Sequence, residues 1–81
     1  MAEIIATIEK NSREDVRIAL DEFHGAQLID VRTFADFTSG GPDDRKPTKK
    51  GVSLNVAKLP ALIAALERAR DEAERRGLLG A

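Results

Sequence analysis

Three lysines, a proline and a glycine fall within six residues, Lys46-Pro47-Thr48-Lys49-Lys50-Gly51, and the chain then alternates through Val52-Ser53-Leu54. Lysines crowded at the entry to a strand present compact, strongly hydrated charges that can pair with phosphates. Residues 1–45 carry five Lys and Arg against ten Asp and Glu. Residues 46–58 carry four lysines and no acid, and residues 59–81 carry four of each sign. The net charge of −1 therefore conceals one basic segment. Pro47 has no N–H to donate and suits an edge strand or a strand entry. Gly51 permits a close backbone approach that a side chain would block. A solvated lysine loop is the simplest account of such a cluster, so its meaning depends on which other residues converge on it.

Other reactive types are sparse. The chain has no cysteine, which excludes disulfides and thiolate metal sites, and its single histidine, His24, cannot hold a metal alone. Ser12, Ser39 and Ser53 lack the His and acid spacing of a nucleophilic triad. Glu14-Asp15 and Asp43-Asp44 lack the spacing of a cation-binding loop and read as solvated turn charges. His24 reads as a solvent-facing turn residue. No enzyme, catalytic residue, cofactor, metal or small-molecule substrate is expected. No stretch approaches the roughly 20 apolar residues of a membrane span, and the N-terminus lacks a secretory pattern, so the expected location is cytoplasmic.

The elements that must position the basic segment follow from periodicity. At 81 residues the chain has room for one domain, expected over residues 1–77 with a short tail over 78–81. A domain of this size buries only about 60% of its unfolded surface, so association is a common remedy. Glu3 to Lys10 alternates as a strand, with Ile4, Ala6 and Ile8 on one face. Asn11-Ser12 is a turn signal. Asp15 to Glu22 alternates with Val16, Ile18 and Leu20 inward, and Gln27 to Phe37 alternates with Ile29, Val31 and Phe37 on the same face. His24-Gly25 between them reads as a hairpin turn. Thr38 to Arg45 reads as a loop and Val52 to Leu54 as a short fourth strand. Asn55 ends that strand as a helix N-cap, and a short turn over Val56 to Lys58 comes next. A helix follows from Leu59, with Pro60 in its first turn and Gly77 as its stop. Leu59, Leu62, Ile63, Leu66, Ala69 and Ala73 share one helical face. The expected architecture is α+β: four antiparallel strands followed by one C-terminal helix.

A two-residue turn at His24-Gly25 sets Leu20 opposite Ile29 and Ile18 opposite Val31. It also sets Arg17 opposite Arg32 on the other face, an unfavourable like-charge pair. A slip of two residues would pair Arg17 with Asp30 instead. Phe23 shares the face of Arg17, and Phe34 that of Arg32. Two of the three phenylalanines thus lie on the polar side, beside arginines and near the lysines. Single-stranded nucleic acid uses such a surface, since bases stack on aromatics and cations follow the phosphates. Cover by the helix or by a partner subunit would account for the same two rings.

The stretches Val16 to Gly25 (VRIALDEFHG), Leu28 to Phe34 (LIDVRTF) and above all Lys46 to Asn55 (KPTKKGVSLN) resemble the positive cofactor four family of transcriptional coactivators. The resemblance runs over Ile8 to Leu66. It implies a curved four-stranded antiparallel sheet followed by a helix, a homodimer to which the helices contribute, and binding of single-stranded or unwound DNA with little sequence preference. Residue by residue it implies a DNA role for Phe23, for Arg32, and for Lys46, Lys49 and Lys50, with Phe34 at an aromatic position of the motif. Arg17 joins this candidate set by its place opposite Arg32. Ala35 stands where many relatives carry a tryptophan, so one stacking platform is missing. The compact chain, without a serine-rich regulatory extension, is similar to the bacterial branch, which implies general DNA handling and nucleoid association. Two alternatives stay open. One is RNA in place of DNA, since stacking and phosphate pairing do not read the sugar. The other is a protein-interaction module built on the helical face, with a vestigial DNA face.

Overall fold

The computed structural model of the chain describes residues 2–38 and 40–80. Ser39, one of the serines weighed above, and Ala81, the end of the expected tail, lie outside them. Four strands, β1 (Glu3–Glu9), β2 (Glu14–Phe23), β3 (Ala26–Ala35) and β4 (Lys46–Asn55), form one antiparallel sheet in the order β1-β2-β3-β4. A single turn of 3₁₀ helix, Val56–Lys58, leads into the helix α1 (Leu59–Arg75).

The hairpin takes the register in which Arg17 faces Arg32, with Leu20 opposite Ile29 and Ile18 opposite Val31. His24 and Gly25 both adopt positive φ, 51° and 83°, the backbone of a two-residue turn whose twist matches the flanking strands. Asn55 Oδ1 accepts a hydrogen bond from Ala57 N at 2.9 Å, capping the 3₁₀ turn, and Pro60 falls in the first turn of α1. Gly77, at φ 72°, ends the helix as expected, and Leu78 N closes back on Ala73 O at 2.9 Å.

Four expectations need correction. Strand β3 stops at Ala35, so Phe37 lies past its end and is 72% exposed instead of joining Ile29 and Val31. The fourth strand is ten residues long and includes the lysines, which therefore lie within the sheet's edge strand and not ahead of it. A bulge at Ile5 breaks the alternation of β1: Ile4 pairs with Ala19, Ala6 with Ile18, so Ile4 and Ala6 face opposite sides. Asp15 is no solvated turn charge; it is 1% exposed inside an ion network.

The core of the single chain is small. Among the described residues only Ala19 and Ile29 are fully buried apolar side chains. Leu20, Val52 and Ile8 on the sheet face opposite Arg17 are 37%, 45% and 58% exposed. The helix does not supply the missing cover, because α1 makes few contacts with the strands. Its apolar stripe stays open, with Ile63 49% and Leu66 60% exposed.

Candidate nucleic-acid interface

Directly opposite residues of antiparallel strands share a face. One face of the sheet therefore collects Arg17, Ala19, Asp21 and Phe23 from β2 with Phe34, Arg32, Asp30 and Leu28 from β3. These residues line a single open groove of about 450 Å³, closed along its sides by Ile4, Pro47 and Ser53. Phe34 marks one end, opposite Asp15, and Phe23 the other, at the hairpin tip. Phe23 is 61% exposed, and His24 buttresses its ring edge-on with centroids 4.1 Å apart.

The two opposed arginines are neutralised locally by the same short motif. Asp15-Val16-Arg17 and Asp30-Val31-Arg32 repeat Asp-Val-Arg, and a spacing of two keeps acid and base on one face. Arg32 binds Asp30 through Nε at 3.0 Å and Nη2 at 2.9 Å, and its Nη1 donates to Thr48 O at 2.9 Å. The hydrogen bonds it donates to Asp30 raise the pKa of the Arg32 guanidinium, which stays charged throughout. Arg17 binds Asp15 Oδ1 through Nε at 2.8 Å and Pro42 O through Nη2 at 3.1 Å, and its guanidinium lies over the Phe34 ring, 4.3 Å from the centroid. Such a cation–π contact contributes about 0.5–2 kcal/mol, depending on desolvation.

Strand β4 carries the lysines on an irregular edge. Arg32 pairs with Gly51 and Phe34 with Pro47, so Thr48, Lys49 and Lys50 together oppose one residue of β3. Thr48 holds this bulge: its hydroxyl donates to Thr33 O at 2.8 Å and accepts from Lys50 N at 3.1 Å. Lys46, Lys49 and Lys50 are all exposed. Gly51 lets Arg32 cross beside the strand. A Cβ there would lie 2.5 Å from Val31 O and 2.9 Å from Arg32 Cα.

Arg45 anchors the start of β4. Its side chain is 3% exposed and its Nη1 binds Asp15 Oδ2 at 2.7 Å and Glu9 Oε1 at 3.3 Å, while Nη2 donates to Ser12 O at 3.0 Å. Its Nε is buried without a partner among the described residues. Hydrogen bonding from Arg17, with the bond from Arg45, holds the Asp15 carboxyl below its ordinary value against the cost of burial. The network ties the β1–β2 turn, the Pro42–Asp44 3₁₀ turn and Arg45, the residue before β4, together.

The structure thus gathers Arg17, Phe23, Arg32 and Phe34 in one groove and sets Lys49 and Lys50 in the bulge on its β4 edge, whereas Lys46, directly opposite Ala35, belongs to the other face of the sheet. Thr48 and Arg45 escape a reading of the sequence. Thr48 stands among lysines with nothing to mark it as the bulge lock. Arg45 closes a loop of turn residues, and its burial depends on contacts 30 and 36 residues away. No group of residues able to hold a metal occurs among the described residues. No helix is long and apolar enough to cross a membrane among them.

Solved structures share this fold. The crystal structure of BPSL1147, a PC4 homolog from Burkholderia pseudomallei K96243, in its orthorhombic form, superposes with a TM-score of 0.76 at 28% identity. The match covers 85% of this chain and 89% of that one. The tetragonal form gives a TM-score of 0.76 at 26% identity over 86% and 98% of the two chains. Among curated proteins no relative matches. The family model described as Transcriptional Coactivator p15 (PC4) matches residues 10–65, from the β1–β2 turn into α1 and so through the groove residues of β2, β3 and β4. With well over half its length under that model, the chain belongs to the PC4 family of transcriptional coactivators.

Proposed function

We propose that the protein is a non-enzymatic, largely sequence-independent single-stranded DNA-binding protein of the coactivator type. The observation that carries this reading is the exposed Lys49 and Lys50 in the bulge of the edge strand, alongside a groove bounded by Phe23 and Phe34; Lys46, at the start of the same strand, adds a third cation nearby. The lysines pair with phosphates and the rings stack bases; Arg32 and Arg17 complete the contact surface within the groove. The binding domain spans residues 1–77. The protein acts in the cytoplasm, associated with the nucleoid in a bacterial cell, without cofactor or metal.

The working form is a homodimer. The chain exposes 6141 Å², whereas a globular monomer of 8.8 kDa exposes only about 4,800 Å². The excess corresponds to the open stripe of α1 and the apolar sheet face that carries Leu20 and Val52. A second copy bringing the same two surfaces would cover both.

Fluorescence anisotropy of a labelled mixed-sequence oligonucleotide of about 20 residues, single-stranded against duplex, tests the reading. Tighter, salt-sensitive binding to the single strand is expected. Equal affinity for RNA of the same sequence would widen the function to single strands of either sugar. Absence of binding to every nucleic acid at low salt would overturn the proposal and leave the α1 stripe as a docking face for another protein.

A further inference from the structure

The immediate surroundings of Arg17 give it a part other than that of a phosphate-binding cation. The Nε–Nη2 edge of its guanidinium is committed inside the protein: Nε to Asp15 Oδ1 at 2.8 Å, Nη2 to Asp15 Oδ2 at 3.3 Å and to Pro42 O at 3.1 Å. Its Cζ lies over the Phe34 ring, 4.3 Å from the centroid. The side chain nevertheless lines the groove and is 19% exposed. A phosphate is recognised by the edge of a guanidinium, where the N–H bonds point. Asp15, already on that edge and itself buried, would repel it. A nucleobase is recognised by the plane.

We propose that Arg17 is a base-stacking platform: its guanidinium plane, backed by Phe34 and fixed along one edge by Asp15 and Pro42, receives one base of a bound single strand and contacts no phosphate. The inference rests on the single-strand reading given above. Phosphate pairing is left to the exposed lysines of β4.

Arg17→Lys keeps the charge and can still reach Asp15 but removes the plane. Affinities are measured by anisotropy for a short oligothymidylate of about eight nucleotides and for versions in which one nucleotide at a time is abasic. In the wild type one abasic position weakens binding about 5- to 100-fold. Arg17→Lys binds the intact strand more weakly by a similar factor and no longer responds to that position, while its dependence on log salt keeps the wild-type slope. Phe34→Leu leaves the Arg17–Asp15 pair in place and removes only its backing, so it keeps a reduced response at the same position. It decides the matter should Arg17→Lys fold poorly: complete loss of the response in Phe34→Leu would assign the base to the Phe34 ring and overturn the proposal. Undiminished affinity of Arg17→Lys, a salt slope shallower by about 0.7, or an abasic penalty equal in all three proteins would overturn the assignment. A wild type that binds no single strand removes the functional reading itself, and this inference with it.

Discussion

Arg17 and Arg32 face each other directly across β2 and β3, each bound to the aspartate two residues before it on its own strand. A like-charge cross-strand pair is destabilising, and the twin Asp-Val-Arg motifs turn it into four alternating charges on one face. The two pairs differ in depth. Asp15 is 1% exposed and also carries Arg45, whereas the Asp30 side chain is 20% exposed and serves Arg32 alone. Asp15→Asn should cost about 3 kcal/mol or more, because Arg45 would keep only the exposed Glu9 as a counter-charge. Asp30→Asn should cost about 1 kcal/mol. Urea unfolding measures both, and equal losses would show that burial of the network contributes nothing extra.

The pH dependence of stability follows from the same carboxyl. Asp15 has its pKa lowered from an ordinary 3.8, first by the hydrogen bond from Arg17. Its stabilisation is therefore fully present above that value and is lost as pH falls through it towards the lower folded value, because the unfolded chain takes up the proton first. Glu14, lowered by its bond from Asn11, acts in the same direction at an exposed site where salt screens it. The unfolding midpoint should hold from neutral pH to about pH 5 and decline below it. Asp15→Asn should begin lower and decline less steeply; a parallel decline in both proteins would place the acid sensitivity elsewhere.

Gly51 is required by packing, not by an unusual φ. A β-carbon would press on backbone atoms, Val31 O at 2.5 Å and Arg32 Cα at 2.9 Å, which cannot swing aside as a side-chain tip would. Gly51→Ala should separate β4 from β3, cost about 1–3 kcal/mol and lower nucleic-acid affinity by displacing Arg32 and the bulge. Thermal unfolding and anisotropy together check it. A variant of wild-type stability would mean that the edge strand yields freely.

Much of this architecture was legible in local pattern. The alternation of β2 and β3, the His24-Gly25 turn, the Asn55 cap and the Gly77 stop are each decided within a few residues, and the hairpin register follows from its two-residue turn. What stayed hidden depends on distant partners. The ends of β4 are set by pairing with β3, which carries the strand through Pro47 and a bulge that interrupts the period-two pattern. The bulge in β1 likewise turns Ile4 into the groove. Glu14-Asp15 looks like any turn pair until Arg45 arrives from the far end of a loop. Among site residues, type and face identified Phe23, Phe34, Arg17 and Arg32 as neighbours, but not that both arginines already have carboxylate partners.

The lysines should behave differently from the arginines. Lys49 and Lys50 are exposed, and the Thr48 hydroxyl fixes the bulge that carries them. Replacing both with alanine should leave stability within about 0.5 kcal/mol of wild type. It should weaken binding for all sequences alike and reduce the log–log salt slope by about 1.4 for single strands. An unchanged slope in a salt titration by anisotropy would remove these two residues from the phosphate contacts.

The open helix gives the last test. Ile63 and Leu66 lie on the apolar stripe of α1 and are 49% and 60% exposed, while the charged remainder of the helix is laced by pairs such as Glu72 with Arg75 and Arg76. A single chain gains nothing from that stripe, yet burying one such side chain contributes about 1.5–3 kcal/mol. Leu66→Glu would place a charge where the proposed twin subunit would dock; if the wild type is a dimer, the variant should sediment as a monomer, with a lower unfolding midpoint that depends on concentration in the wild type and not in the variant. The same substitution lies on the helix, away from the lysines and the groove, so the residual monomer should still bind a short single strand. A wild-type chain that sediments as a monomer at micromolar concentration would refute the dimer, and the excess exposed area would then have to be covered by some other protein.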